Sequence, residues 1–184
     1  MFNQNQQENQ WIDISQPLSK DIAHWPGDTP FSYEVAYPKE ETGSVNIGQI
    51  TTSTHIGTHI DAPFHFKNDG QRVLDIDLNI YIGASRLIDI GDAKEMNREV
   101  LSQFNLDGIA RLLIRTSIKN NPTVFPKDIP YVTRDGAEFL KEQGIKLIGV
   151  NVPSVDPLDS KDLEGHHALY ENGIYILLNF RRLK

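Results

Sequence analysis

The order of apolar segments along the chain predicts a single α/β or α+β domain. Strand-like runs come first, and strands then alternate with helical patterns in the second half. The 184 residues are enough for one domain with a sizeable core. Apolar residues make up 39% of the chain and charged residues 23%, which is the composition of an ordinary globular protein.

In the first half of the chain, alternation and turn residues predict the strands. Residues 11–14 form a short apolar segment that stops at Pro17, which predicts a first strand. Large apolar residues recur at every second position across residues 31–37, and this period predicts a second strand. Two further strands are predicted on either side of Gly83, at residues 78–82 and 86–90.

In the second half, strands and helices are predicted in turn. The strands are continuous apolar runs, typical of strands buried on both faces, and they fall at residues 112–114, 147–150 and 174–178. The helices are predicted at residues 96–104, 133–143 and 160–172. Gly144 and Gly173 follow the last two helices, where a glycine commonly ends a helix.

Composition excludes several kinds of protein. The chain has no cysteine, which rules out a disulfide scaffold, a cysteine-ligated zinc site and a thiol nucleophile. The net charge is −7 with scattered Lys and Arg, so we expect no nucleic-acid or membrane partner. Residues 1–10 predict a polar flexible leader ahead of one domain at residues 11–184. A cytoplasmic location fits the lack of cysteine.

Four side chains that can bind a metal fall within eleven residues, at His55, His59, Asp61 and His65. In an extended strand, residues of equal parity share a face, so the first three would point the same way. Gly57 would leave room for an ion between the two histidines. Two imidazoles and a carboxylate are a common ligand set for catalytic zinc. The sequence therefore predicts a metal site here rather than isolated structural histidines.

A second histidine pair, His166–His167, falls on the third predicted helix. One interpretation is that this helix delivers a further metal ligand or a proton carrier to the site. The other is that these residues belong to the surface of an amphipathic helix. Spacing alone leaves both interpretations open.

The segment from His55 to His65 resembles the signature H-x-G-T-H-x-D-x-P-x-H of the cyclase family of metal-dependent hydrolases, and more narrowly its kynurenine formamidase branch. Further matching stretches lie at residues 11–18, 25–31, 149–157 and 166–169, so the resemblance spans roughly residues 11 to 177. It implies hydrolysis of N-formyl-L-kynurenine to L-kynurenine and formate during tryptophan degradation. It also implies a swivelling β/β/α-type domain that forms a homodimer.

The resemblance also implies roles for individual residues. His55, His59 and Asp61 would hold one metal ion, usually zinc, and Asp61 and His166 would hold a second. His65 would donate and accept the proton. Trp25 would contact the substrate.

The chain departs from the family pattern in three places. Leu178 stands where the family has a glutamate ligand of the second metal, so we expect that ion to be weak or absent. Asn151 stands where an aspartate is usual. The chain ends at Lys184, so the usual C-terminal strands are expected to be missing. These departures leave two alternatives to the formamidase, namely another amidase or lactonase of the family and an impaired metal-binding relic.

The residues suit amide hydrolysis without the resemblance. A metal ion lowers the pKa of a bound water to about 7. His65 is the candidate for protonating the departing arylamine, because a histidine titrates near neutral pH. Phe64 and Phe66 could join Trp25 in an aromatic pocket, or could simply pack in the core.

Overall fold

The computed structural model describes residues 11–119 and 121–181. Nine strands are assigned in these ranges: β1 Ser32–Tyr37, β2 Ile47–Thr51, β3 His59–Asp61, β4 Arg86–Asp89, β5 Glu95–Met96, β6 Arg111–Arg115, β7 Tyr131–Val132, β8 Leu147–Val150 and β9 Tyr175–Leu178. The α-helices of the same ranges are α1 Lys39–Thr42, α2 Arg98–Leu101, α3 Arg134–Glu142 and α4 Glu164–Glu171. Short 3-10 turns cover Pro63–His65, Val73–Asp75 and Leu78–Ile80.

A five-stranded mixed sheet with the order β3-β9-β8-β6-β4 forms the centre of the molecule. The strands β4, β6, β8 and β9 run parallel to one another, and β3 is antiparallel to β9 at the edge. Two smaller two-stranded sheets pair β1 with β2 and β5 with β7. The prediction of a mixed α/β domain is therefore confirmed.

The main core lies where the central sheet meets the last three helices. It combines apolar residues of β6, β8 and β9 with one face each of α2, α3 and α4. All four residues of β8 are buried, as its continuous apolar run predicts. The helix α3 begins at Thr133, whose hydroxyl accepts a hydrogen bond from the Gly136 amide, and Gly144 follows it in the left-handed region at φ 80°. Both ends match the predicted helix.

Three predicted elements are wrong. Residues 11–14 form no strand, and Ile14 accepts a single backbone hydrogen bond, from the Arg181 amide at 2.6 Å. Residues 78–80 form a 3-10 turn instead of a strand, because the Asp77 carboxylate accepts from the Asn79 amide and caps a turn. The helix predicted at residues 96–104 is shortened to α2, because residues 95–96 pair with β7.

The predicted third helix also begins later than expected. The helix α4 starts after Leu163, which lies in the left-handed region at φ 49°, so residues 160–163 are not helical. Gly173 follows the helix at φ 68°, as predicted. The predicted leader at residues 1–10 lies outside the described residues. Within the described ranges, no helix is both long and apolar enough to cross a membrane.

Candidate metal centre

The segment that carries the clustered histidines is a turn followed by a short strand. Only His59, Ile60 and Asp61 are in β3, so the prediction that His55 shares this strand is wrong. Gly57 has φ 58°, a left-handed conformation that turns the chain between the two histidines. A Cβ at Gly57 would lie 2.9 Å from Leu18 and 3.3 Å from Ile22, so this glycine faces apolar side chains rather than an ion site.

The turn nevertheless brings both imidazoles to the Asp61 carboxylate. His55 Nδ1 lies 2.9 Å from Asp61 Oδ1, and His59 Nε2 lies 3.5 Å from the same oxygen. His59 Nδ1 lies 2.9 Å from the Gly57 carbonyl oxygen, which can only accept a hydrogen bond. The proton of a neutral His59 is therefore on Nδ1, and the Nε2 lone pair is directed at Asp61.

The helix α4 supplies the other side of the cluster through His166. Its Nε2 lies 3.2 Å from Asp61 Oδ2, and its Nδ1 lies 2.5 Å from Asp156 Oδ2. Asp156 also accepts hydrogen bonds from the backbone amides of Gly165 and His166, at 2.6 and 3.1 Å. This buried carboxylate therefore fixes both the start of α4 and the orientation of the His166 ring.

The charges of the cluster shift the pKa values of its members. Burial alone would raise the pKa of Asp61, but the contacts with His166 and His55 hold that pKa well below its usual range. Burial alone would lower the pKa of His166, but the two carboxylates raise it to about 9. Burial is the largest cause at His59 and lowers the pKa of that imidazole. The buried centre thus contains ionised carboxylates at neutral pH.

Two of the ligand atoms are left without hydrogen bonds in this buried setting. Among the described residues, the buried side-chain atoms that make no hydrogen bond of suitable geometry are His59 Nε2, Asp61 Oδ1 and Tyr81 Oη; His55 Nδ1, 2.9 Å from Asp61 Oδ1, is a close polar contact of that oxygen. A buried polar atom without a partner is unfavourable unless something else satisfies it. The donor atoms of His55, His59 and Asp61 lie within 4.8 Å of one another, so these residues could hold a metal ion.

His65 lies beside this group but on a different element. It belongs to the 3-10 turn Pro63–His65, and its ring centroid is 3.9 Å from that of His55 and 6.0 Å from that of His166. His65, Asp61 and His166 form a second set whose donor atoms lie within 4.8 Å of one another. His167 belongs to neither set, and its ring packs edge-to-face against Phe66.

A cavity of about 450 Å³ opens onto the cluster. Trp25 lines it and meets Phe125 edge-to-face, with ring centroids 5.3 Å apart. Phe125 was missed by the sequence analysis, because nothing in its local sequence links it to a residue 100 positions away. Phe64 is 45% exposed beneath the Arg72 guanidinium, and Phe66 lines a smaller cavity that Asp61 also lines, so neither residue joins Trp25 in the larger cavity. The exposure of Phe64 also departs from the alternative of core packing.

Leu178 and Asn151, the two positions at which a different residue replaces the family's usual one, occupy different surroundings. Leu178 lies opposite His59 in the antiparallel register of β3 and β9, and it is 1% exposed within the main core. Asn151 lines the cavity, and its side-chain oxygen accepts a hydrogen bond from the Thr116 amide at 2.9 Å. Glu171 forms an ion pair with Arg134 and is not part of the cluster.

Comparison with known proteins identifies the family of this chain. The family model described as "Putative cyclase" matches residues 12–157. The chain belongs to the cyclase family. A curated kynurenine formamidase of Bacillus cereus is 58% identical over 171 residues, which cover 93% of this chain and 82% of the relative.

Solved structures of the cyclase family share the fold at lower identity. A structure described as a potential metal-dependent hydrolase with cyclase activity superposes with a TM-score of 0.77 at 20% identity, covering 92% of this chain and 81% of that one. Isatin hydrolase A from Labrenzia aggregata, bound to benzyl benzoate, gives 0.75 at 21% identity over 94% of this chain and 80% of that one. The fold is therefore that of the cyclase family.

We expect His59→Ala to remove most of the metal bound by the purified protein, because it deletes a buried donor whose lone pair has no other partner. Elemental analysis after dialysis measures this loss. His167→Ala is the matched control, since His167 lies outside both candidate ligand sets. An unaltered metal content in the His59 variant would contradict the assignment.

Proposed function

We propose that this chain is a metal-dependent hydrolase of aryl formamides, acting on N-formyl-L-kynurenine to give L-kynurenine and formate. The group of His55, His59 and Asp61, in which the buried atoms His59 Nε2 and Asp61 Oδ1 make no hydrogen bond, is the observation that carries the proposal. The kynurenine formamidase from B. cereus, at 58% identity, supports this choice of substrate.

The proposed metal ligands follow from the geometry and the family pattern together. His55, His59 and Asp61 would hold the first ion. Asp61 and His166 would supply two of the ligands of a second ion. Zinc fits a set of imidazoles and carboxylates without thiolates. When bound, such an ion supplies Lewis acidity that acidifies a water and polarises a carbonyl oxygen.

His65 is proposed as the proton carrier. Partial loss of hydration lowers the pKa of His65, so its imidazole is neutral near pH 7 and can accept a proton. In the reaction, a water oxygen forms a bond to the formyl carbon while its proton passes to His65. The C–N bond then breaks as His65 returns the proton to the departing arylamine nitrogen.

Trp25 and Phe125 are proposed to hold the aryl ring of the substrate. Their edge-to-face pair forms an apolar part of the cavity wall, which an aromatic ring can contact favourably. The cavity volume of about 450 Å³ is in the usual range for small-molecule sites. This wall favours an arylamide over a small aliphatic amide.

We also propose that the chain forms a homodimer through the hairpin of β1 and β2. This hairpin exposes an apolar surface in which Tyr33 is 60% and Ile50 is 61% exposed, and the two residues are opposite each other in the strand register. Exposed apolar patches of this kind mark protein contacts. A cytoplasmic location and a swivelling-type domain remain predictions.

The function is tested by turnover of a substrate panel with the purified, metal-loaded protein. We expect N-formyl-L-kynurenine to give a higher kcat/KM than lactones, cyclic amides or aliphatic formamides, and a chelator to abolish turnover. A preference for a lactone or a cyclic amide would reject the formamidase in favour of another hydrolase of the family.

His65→Ala is expected to retain the metal but lower kcat by about 10²–10⁴-fold, the scale of general acid–base catalysis. Steady-state kinetics and elemental analysis of the same sample measure both properties, with His167→Ala again as the control. Complete loss of metal in the His65 variant would instead identify His65 as a ligand.

We expect about one tightly held metal ion per chain, because Leu178 offers no lone pair to a second ion. Leu178→Glu should raise the number of bound ions, whereas Leu178→Gln, of similar size but without charge, should not. Elemental analysis after dialysis, with circular dichroism to confirm folding, is the measurement. Two ions per chain in the unaltered protein would show that another residue completes the second site.

The dimer is tested by sedimentation velocity. The unaltered protein is expected to sediment as a species of twice the chain mass. In the double variant Tyr33→Ser, Ile50→Ser, the population should shift toward the monomer. Leu74→Ser serves as a control, because Leu74 is 97% exposed but lies outside the hairpin. A monomer at all concentrations would refute the proposal.

A further inference from the structure

The cavity above the histidine cluster carries one charged side chain of each sign outside that cluster. Among the described residues that line it, these are Asp28 and Lys119. We propose that Asp28 binds the α-ammonium group, and Lys119 the α-carboxylate, of an aryl formamide that carries an amino-acid side chain. The inference rests on the proposed function and deepens it, because it names the residues that select such a substrate.

Asp28 is a fixed anion at the cavity wall. Its Oδ2 accepts a hydrogen bond from Ser53 Oγ at 2.5 Å, and its Oδ1 accepts one from the Thr29 amide at 2.7 Å. These two hydrogen bonds lower the pKa of Asp28, so it is ionised at neutral pH. Each carboxylate oxygen retains a further lone pair for a ligand.

The position of Asp28 is tied to the candidate metal ligands. Ser53 Oγ, which donates to Asp28, also accepts a hydrogen bond from the His55 amide at 3.1 Å. Ser53 therefore links the carboxylate to the turn that carries the cluster. A substrate held at Asp28 would have a defined position relative to His55 and its neighbours, which is what alignment of a reacting bond requires.

Lys119 is far from Asp28 in the sequence and reaches the cavity from a different segment of the chain. It follows the carboxyl end of β6, and the segment after it is joined to the Trp25 turn by a hydrogen bond from the Ala23 amide to the Pro122 carbonyl at 2.7 Å. Among the described residues, no carboxylate lies within 4.0 Å of its amine. The lysine amine is therefore available to a carboxylate in the cavity.

The chemistry of the cavity matches a zwitterionic aryl compound. The rings of Trp25 and Phe125 offer an apolar surface for the aryl group, while Asp28 and Lys119 offer one charge of each sign to the amino-acid group. A lysine amine on a flexible stem can follow a carboxylate, and a fixed aspartate can accept from an ammonium. Selectivity among aryl formamides would then come from the contacts with the two charged groups of the substrate, because all these compounds share the formamide group.

Three formamides separate the two contacts. N-formyl-L-kynurenine carries both charged groups, N-formylkynuramine carries only the ammonium, and N-formyl-2-aminoacetophenone carries neither. Lys119→Met should lower the ratio of kcat/KM for N-formyl-L-kynurenine over N-formylkynuramine about tenfold. Asp28→Asn should lower the ratio of kcat/KM for N-formylkynuramine over N-formyl-2-aminoacetophenone about tenfold. Tenfold is the scale of one charged hydrogen bond. Lys127→Met, an exposed lysine that does not line the cavity, should change neither ratio.

Binding of the products provides a readout that needs no turnover. Calorimetry should show that Lys119→Met weakens the binding of L-kynurenine about tenfold relative to that of kynuramine. Asp28→Asn should weaken the binding of kynuramine about tenfold relative to that of 2-aminoacetophenone. An unaltered ratio in either variant, or an equal loss for all three compounds, would overturn the proposed contact. If the unaltered protein hydrolysed none of the formamides, the proposed function would fail, and these binding ratios alone would decide the inference.

Discussion

The buried carboxylate of Asp61 is the constraint on which the rest of the site depends. It is 3% exposed, and an ionised carboxylate in such a place is unfavourable by several kcal/mol unless it is paired. Its partners come from two distant parts of the chain, with His55 at 2.9 Å from one oxygen and His166 at 3.2 Å from the other. The fold must therefore hold β3 and α4 together for the charge to be compensated. The pairing of β3 with β9, which follows α4 in the chain, achieves this.

The same sheet explains where the cavity lies. The strands β6, β8 and β9 run parallel, and the residues that follow their carboxyl ends, Ile118, Asn151 and Asn179, all line the cavity. Ligand sites in α/β sheets commonly form at this edge. Asp156, in the segment that follows β8, then orients His166 from behind through Nδ1. A partner of this kind fixes which ring nitrogen of a histidine is directed at a ligand.

The parts of this fold and site that sequence could predict are those with local causes. The strands β6, β8 and β9 and the helix α3 follow from apolar runs and capping residues. The histidine cluster was predicted from one eleven-residue segment. The prediction placed His55 in the same strand as His59 and Asp61, whereas β3 begins only at His59. Phe125 was missed because its contact with Trp25 depends on tertiary folding, and Asp156 was missed because an isolated aspartate carries no local signal of pairing with a histidine. Such contacts exist only once the sheet has formed.

Leu178 contributes to the packing of the fold but cannot serve as a metal ligand. Its side chain is on the same face of the sheet as His59, because opposite residues of an antiparallel pair point the same way. Full burial of a leucine contributes about 1.5–3 kcal/mol to folding without any ligand. A carboxylate at this position would be a further buried anion in addition to Asp61 and Asp156, and would need a cation to offset its desolvation. In this chain, the packing of β9 against the core therefore does not depend on a second metal ion at Leu178.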